Sequence, residues 1–305
     1  MRTYAISDDV LSGEAAGGVE IAPTGILADV AARQAALWDQ GQQREGGTVT
    51  ARVFEDYCHA YKHVKMERRN GILQVTLHTD GGELEWGFEA LSELPYCFAD
   101  IGNDAGNKVV ILTGAGGRFI GHREPVSGQP SVTDWVGMMR DAQQMNRAVL
   151  DIDAPMIAAF NGPTNEHAEL GLLCDIVLAT EDTTFRDAAH MQRGLVPGDG
   201  VHFVWPLLLG PNRGRYFLMT GQTISAEEAL HLGIVSEVLP RDRLLPRAWE
   251  LAAYLLERPA VAVRLTRSAI TMELKRQMQA YMGYGIALEA IGGLDEFPPP
   301  ADDEL

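Results

Sequence analysis

Three short runs constrain the fold of this chain more than any other feature: Lys108-Val109-Val110-Ile111-Leu112-Thr113, Met156-Ile157-Ala158-Ala159-Phe160 and Ile176-Val177-Leu178-Ala179. Each has the length of a strand and almost nothing polar inside it. A strand apolar along its whole length has both faces covered, as in a sheet packed between two layers. A helical pattern, roughly Trp135 to Leu150, separates the first run from the second, and Leu170 to Cys174 reads as the end of a helix before the third. Upstream, Val64 to Arg68 and Leu73 to Leu77 alternate apolar with polar residues around Arg69-Asn70-Gly71, a hairpin turn signal. Phe88 to Ile101 then looks helical. Strands alternating with helices in this way mean an α/β fold with a largely parallel sheet.

Beyond Gly200 the pattern becomes helical. Val201 to Leu209, Arg213 to Thr220 and Ala226 to Leu232 read as short helices, the last with Ser225 as N-cap and Glu228 three residues on. Leu245 to Leu256 and Ala262 to Ile291 are longer, and the second is expected to be interrupted around Gly283 and Gly285. Residues 1–52 are rich in Gly, Ala and acidic groups, with one amphipathic stretch from Ile26 to Trp38. They read as an appendage to a catalytic domain at 53–292, made of a core at 53–200 and a mostly helical part at 201–292. Residues 293–305 read as an acidic, Pro-rich tail.

The 42 acidic against 25 basic residues give a net charge of −17, which would repel nucleic acid and anionic membranes alike. No run approaches the roughly 18 apolar residues that span a bilayer, and the first residues lack the apolar stretch of a signal peptide. Cys58, Cys97 and Cys174 are few and widely spaced, as in a reducing compartment. The expected location is cytoplasmic.

Titratable residues gather between Asn161 and Gly200. Gly114-Ala115-Gly116 follows a strand, but Phe119 stands where a dinucleotide fingerprint needs its third glycine. His167-Ala168-Glu169 matches half of a zinc deaminase signature without the required Pro-Cys-x-x-Cys. A zinc site from His167, His190 and Asp199 has no supporting spacing, so no metal is expected. His190 and Asp199 bracket Arg193-Gly194 and Pro197-Gly198, a loop able to fold back. Two readings stay open: an acid–base dyad, or a surface histidine and an Asp that caps the helix starting near Val201.

The ordered set KVVILTGAGGRF, APMIAAFNGP, CDIVLATEDTTF, GLVPGDG and LMTGQTISAEEALHLGIVSEVLP resembles the crotonase (enoyl-CoA hydratase/isomerase) superfamily over residues 60–292. The resemblance implies an α/β fold, a crotonase-like spiral of ββα units, with a C-terminal helical region that forms trimers, often stacked in pairs. The chain departs from CoA-using members at Pro163-Thr164-Asn165-Glu166-His167 and at Gly121-His122-Arg123-Glu124. Those departures, with VPGDGVHFVWPLLLGPNRGRYFLMTGQ, LLPRAWELA and HTDGGELEW, are similar to the 6-oxocamphor hydrolase-like β-diketone hydrolase branch. What this implies is a hydrolase that cleaves a carbon–carbon bond of a cyclic or bicyclic β-diketone by a retro-Claisen reaction, without CoA or any other cofactor.

By the same resemblance His190 and Asp199 match the catalytic dyad, and Glu289 a carboxylate brought in by the C-terminal helices. Trp86 and His167 match substrate-binding groups, and Leu91 stands where the branch has a second histidine, which implies a reshaped pocket. His167, the Trp86 indole and backbone amides such as that of Gly121 are the expected oxyanion donors. Trp135 and Trp205 are read as packing residues. Glu169 sits where CoA-dependent hydratases carry a catalytic Glu. It is therefore the pivot of the alternative, a crotonase-fold hydratase, decarboxylase or acyl-transfer enzyme; a non-catalytic binding protein is the third reading.

Overall fold

The computed structural model describes residues 52–124 and 130–296; the stretch Ile26 to Trp38 and the residues after 296 lie outside them. The chain divides between Thr50 and Ala51, and every element below belongs to the second unit. After a single turn, α1 (Phe54–Tyr57), come β1 (Val64–Arg69) and β2 (Ile72–Leu77). They pair antiparallel about Asn70 and Gly71, whose φ angles of 52° and 85° are what a tight hairpin turn demands. Next follow α2 (Phe88–Asn103), β3 (Val109–Gly114), α3 (Val132–Asp151), β4 (Met156–Phe160), the short α4 (Glu169–Leu172) and β5 (Ile176–Thr180).

Five strands of the six-stranded sheet run parallel, in the order β1-β2-β3-β4-β5-β8, with β8 at Glu237–Leu239. The apolar runs are explained by the two cores they separate. Val110, Leu112, Ala158, Phe160 and Ala179 face one core, packed with residues of α2 and α3 such as Leu94, Phe98 and Val149. Val109, Ile111, Ile157, Ala159 and Leu178 face the other, closed by Leu244, Ala248 and Ala252 of α8 (Arg241–Leu256). A polar residue at either alternation is buried, and the two that occur, Thr113 and Thr180, have hydroxyl partners, Thr113 donating to the Ala159 carbonyl at 2.8 Å and Thr180 pairing with Thr183 at 2.9 Å.

The remaining elements are β6 (Thr184–Phe185), α5 (Val201–Leu209), α6 (Pro211–Thr220), β7 (Ile224–Ser225), α7 (Ala226–His231), α9 (Ala260–Ile270) and α10 (Met272–Glu296). Ser225 caps α7 as expected, its hydroxyl accepting from the Glu228 amide at 3.2 Å. The last long helix differs from expectation. The break falls at Thr271, whose hydroxyl donates to the Arg267 carbonyl at 2.8 Å, and α10 runs unbroken through Gly283 and Gly285 and on to Glu296, past the boundary at 292. Gly285 serves close packing instead: a methyl group there would stand 2.4 Å from the His202 ring and 2.5 Å from the Gly198 carbonyl. Among the described residues no helix is long and apolar enough to cross a membrane.

Candidate active site

The loops at the C-terminal ends of β3, β4 and β5 converge, as parallel strands require of a site in an α/β sheet. Asn161 ties two of them together: its side chain accepts from the Gly114 amide at 3.2 Å and donates to the Gly116 carbonyl at 3.1 Å. The chain after β5 then lies against the chain after β4. The Thr164 amide donates to Thr184, Arg186 to Thr164, and Ala188 to Asn165. This lacing sets the His190 ring 6.4 Å from that of His167, centroid to centroid. His167 adopts φ +48°, unusual for a residue with a side chain and a known mark of functional positions.

His190 is buried, and so is Asp199, whose carbonyl is held by the Asn146 side chain of α3 at 2.8 Å. Gly200, not Asp199, is the N-cap of α5. The reading of a surface histidine beside a capping aspartate therefore does not hold. The two are close, His190 Nε2 to Asp199 Oδ1 at 3.4 Å, but the residue that orients the ring is another. His190 Nδ1 meets Asp187 Oδ1 at 2.7 Å. Asp187 escaped the sequence reading; the signal was its place three residues before His190, in a turn tight enough for the two side chains to meet. Glu289 comes in from α10, with Oε1 3.8 Å from His190 Nε2.

A second pair lies alongside. His167 Nδ1 meets Glu169 Oε1 at 2.9 Å and Asp199 Oδ2 at 3.3 Å, and Trp86 stacks on the His167 ring at 4.0 Å between centroids, tilted by 30°. These groups form the polar end of a cavity of about 330 Å³. Trp86, Phe88, Leu91, Trp135, Met138 and Ile286 form its apolar wall, and Arg123 and Glu124 also face it. That size suits a small ring compound. Trp135 thus lines the cavity in addition to packing. Gly121 does not: it is absent from the wall, and its amide donates to the Leu84 carbonyl at 2.9 Å, so it offers no donor to an oxyanion. Glu169 is fully buried behind His167 and is likewise off the wall.

Burial alone would lower the His190 pKa, but Asp187 and Asp199 outweigh it and hold the imidazole well above its ordinary range. Burial would raise Asp199, but His190 keeps it below the usual carboxylate range. Glu289 goes the other way: burial first, then the charge of Asp199, push it up to about 8. In the unliganded site at neutral pH, His190 and Glu289 therefore carry protons and Asp199 does not. Two triads sharing Asp199, His167-Glu169-Asp199 and His190-Asp199-Glu289, have donor atoms within 4.8 Å of one another. A cation in the second of these would have to displace the proton that His190 holds.

The family model for enoyl-CoA hydratase/isomerase matches residues 67–288. Among solved structures, the chain is similar to a β-diketone hydrolase from the cyanobacterium Anabaena sp. PCC 7120, bound to (S)-3-oxocyclohexyl acetic acid. The two are 42% identical with a TM-score of 0.77, over 79% of this chain and 97% of that one. An enoyl-CoA hydratase/isomerase from Mycobacterium paratuberculosis is 25% identical with a TM-score of 0.72, over 77% of this chain and 95% of the other. A curated relative, the short-chain-enoyl-CoA hydratase of Clostridium acetobutylicum, is 27% identical over 75% of this chain and 87% of its own.

Proposed function

The chain belongs to the enoyl-CoA hydratase/isomerase family, and from that premise we propose that it is a hydrolase cleaving a carbon–carbon bond of a cyclic or bicyclic β-diketone. The observation that carries this reading is the cavity itself. It sets one ionised carboxylate, two histidines and one protonated carboxyl at the end of a small apolar chamber. The similarity to a β-diketone hydrolase supports it.

Water is a poor nucleophile towards a ketone, so a base must take its proton as it adds. His190 already carries a proton in the resting site, and the acceptor within reach is the ionised Asp199, whose Oδ1 lies 3.4 Å from His190 Nε2. Asp187, His190 and Asp199 work as one unit: Asp187 fixes the ring through Nδ1, and Nε2–H faces Asp199 and the substrate. The hydroxyl adds to one carbonyl carbon, and the negative charge on its oxygen is met by the Nε2 donors of the two histidines, His167 and His190. Collapse of the adduct breaks the bond to the carbon between the carbonyls, and the electron pair passes into an enolate of the second carbonyl. Glu289 supplies the proton that turns this enolate into a ketone, and the proton taken from water restores it. The products are a carboxylic acid and a ketone in one molecule, a keto acid, whose acid group becomes a carboxylate by losing the added hydroxyl's proton to solvent.

The second reading, hydration of an enoyl thioester, draws on the curated relatives and would use Glu169 directly. The position of Glu169 speaks against that use, because its Oε1 is spent on His167 and it does not reach the cavity wall. The test is an ultraviolet assay on a panel of cyclic 1,3-diketones, run beside crotonyl-CoA. Loss of the enolate absorbance with appearance of a keto acid, abolished in His190→Ala, is the expected result. Turnover of crotonyl-CoA with none of the diketones would replace this reading by the second.

A further inference from the structure

Arg123 is the one Lys or Arg on the cavity wall among the described residues. Its backbone is bridged to that of Trp86: the Trp86 amide donates to the His122 carbonyl at 2.7 Å, and the Glu124 amide to Trp86 at 2.8 Å. The Arg123 backbone therefore runs beside that of Trp86, whose indole stacks on His167, and both side chains line the cavity. Its hydrogen bonds to protein run from Nε, to the buried Glu166 at 3.0 and 3.3 Å. A guanidinium gripped by its Nε edge keeps a planar pair of Nη groups, the geometry that takes a carboxylate in two parallel hydrogen bonds. Glu166 is also shared, since Arg193 Nη2 lies 3.6 Å from the same carboxylate. The two histidines are placed differently. His190 faces Asp187 and Asp199, and His167 faces Glu169 and Asp199, so each lies between two carboxylates.

We propose that Arg123 is the anchoring group for a carboxylate, and that this cavity takes ring compounds bearing one. The source of that carboxylate, the keto acid released by the reaction, rests on the hydrolase reading above. The reaction creates a carboxylate that the diketone did not have, in a chamber whose far end already holds the ionised Asp199. The ionised Asp199 repels the new charge; Arg123 receives it. Opening one ring of a bicyclic diketone leaves the other ring with an arm carrying the carboxylate, so the charge can leave the acid–base cluster for the guanidinium without moving the rest of the molecule.

The test is direct binding by calorimetry with two probes of one shape, cyclohexylacetate and the neutral cyclohexylacetamide, on the full chain. Wild type is expected to prefer the carboxylate by about tenfold or more. Arg123→Met should erase that preference while still binding the amide, and Arg123→Lys should restore part of it. Melting curves of each variant show that the fold persists. No preference in wild type, or a preference kept in Arg123→Met, would overturn the proposal. Neither result depends on turnover: diketones left untouched by an enzyme that still selects the carboxylate through Arg123 would sink the hydrolase reading alone.

Discussion

Glu289 is where stability and chemistry pull apart. In the folded chain its carboxyl keeps its proton up to about pH 8, against 4.5 for an ordinary Glu. Between those values the folded state binds the extra proton, so stability falls as pH rises. Glu289→Gln should therefore melt a few degrees above wild type near pH 8 and level with it near pH 4, as scanning calorimetry at the two pH values can check. The same proton feeds the enolate, so kcat of wild type should fall as pH climbs through about 8. A rate that instead rises through that pH would make Glu289 a base and refute the donor role given to it. At this scale the sequence was partly legible. His167, His190, Asp199, Glu289 and Trp86 could be named because the family resemblance fixes their order. Asp187 could not, because its place three residues before His190 signals a contact only where the turn is tight enough for the two side chains to meet. Gly121 was misjudged for a related reason: a backbone amide's availability depends on which carbonyl lies opposite, here that of Leu84.

The elements were legible where burial dictates composition. The runs at β3, β4 and β5 could be read as doubly covered strands because both alternations face apolar layers, one against α2 and α3, the other against α8. The glycines of α10 misled because a glycine marks either a break or a close approach, and only the neighbour across the gap decides. The two residues now make opposite predictions. Gly283 is exposed, with open space where a side chain would go. Gly283→Ala should therefore stabilise the helix by about 0.5–1 kcal/mol. A methyl group at Gly285 would meet His202 and Gly198 at less than van der Waals distance, and Gly285→Ala should cost about 1–3 kcal/mol. Gly285→Ala should also lower activity, since Glu289 is one turn further along. Denaturant unfolding of the two variants measures both signs; a shared sign would mean that helix propensity, not contact, governs both positions.

At the scale of the whole molecule, α10 has two apolar faces, and among the described residues only one is covered by its own chain. Met278, Met282 and Ile286 lie four residues apart on the buried side, and Glu289 follows on the same stripe. On the opposite side Tyr281, Tyr284 and Ile291 are 49%, 72% and 65% exposed. A helix apolar on both sides needs a partner on each. The partner consistent with the family resemblance is further copies of this chain. Light scattering should then report about three chains of 33.3 kDa, or twice that number. Tyr284→Arg places a charge in the middle of the outer face and should release single chains. The activity of those chains is the informative quantity, because the helix that carries Tyr284 outward carries Glu289 inward. If neighbours press α10 onto the core, the separated chains lose kcat along with their assembly. Full activity in single chains would mean that the Gly198–Gly285 contact and the buried stripe hold Glu289 in place unaided. A wild-type chain that is already monomeric would leave the outer face without this partner and end the prediction.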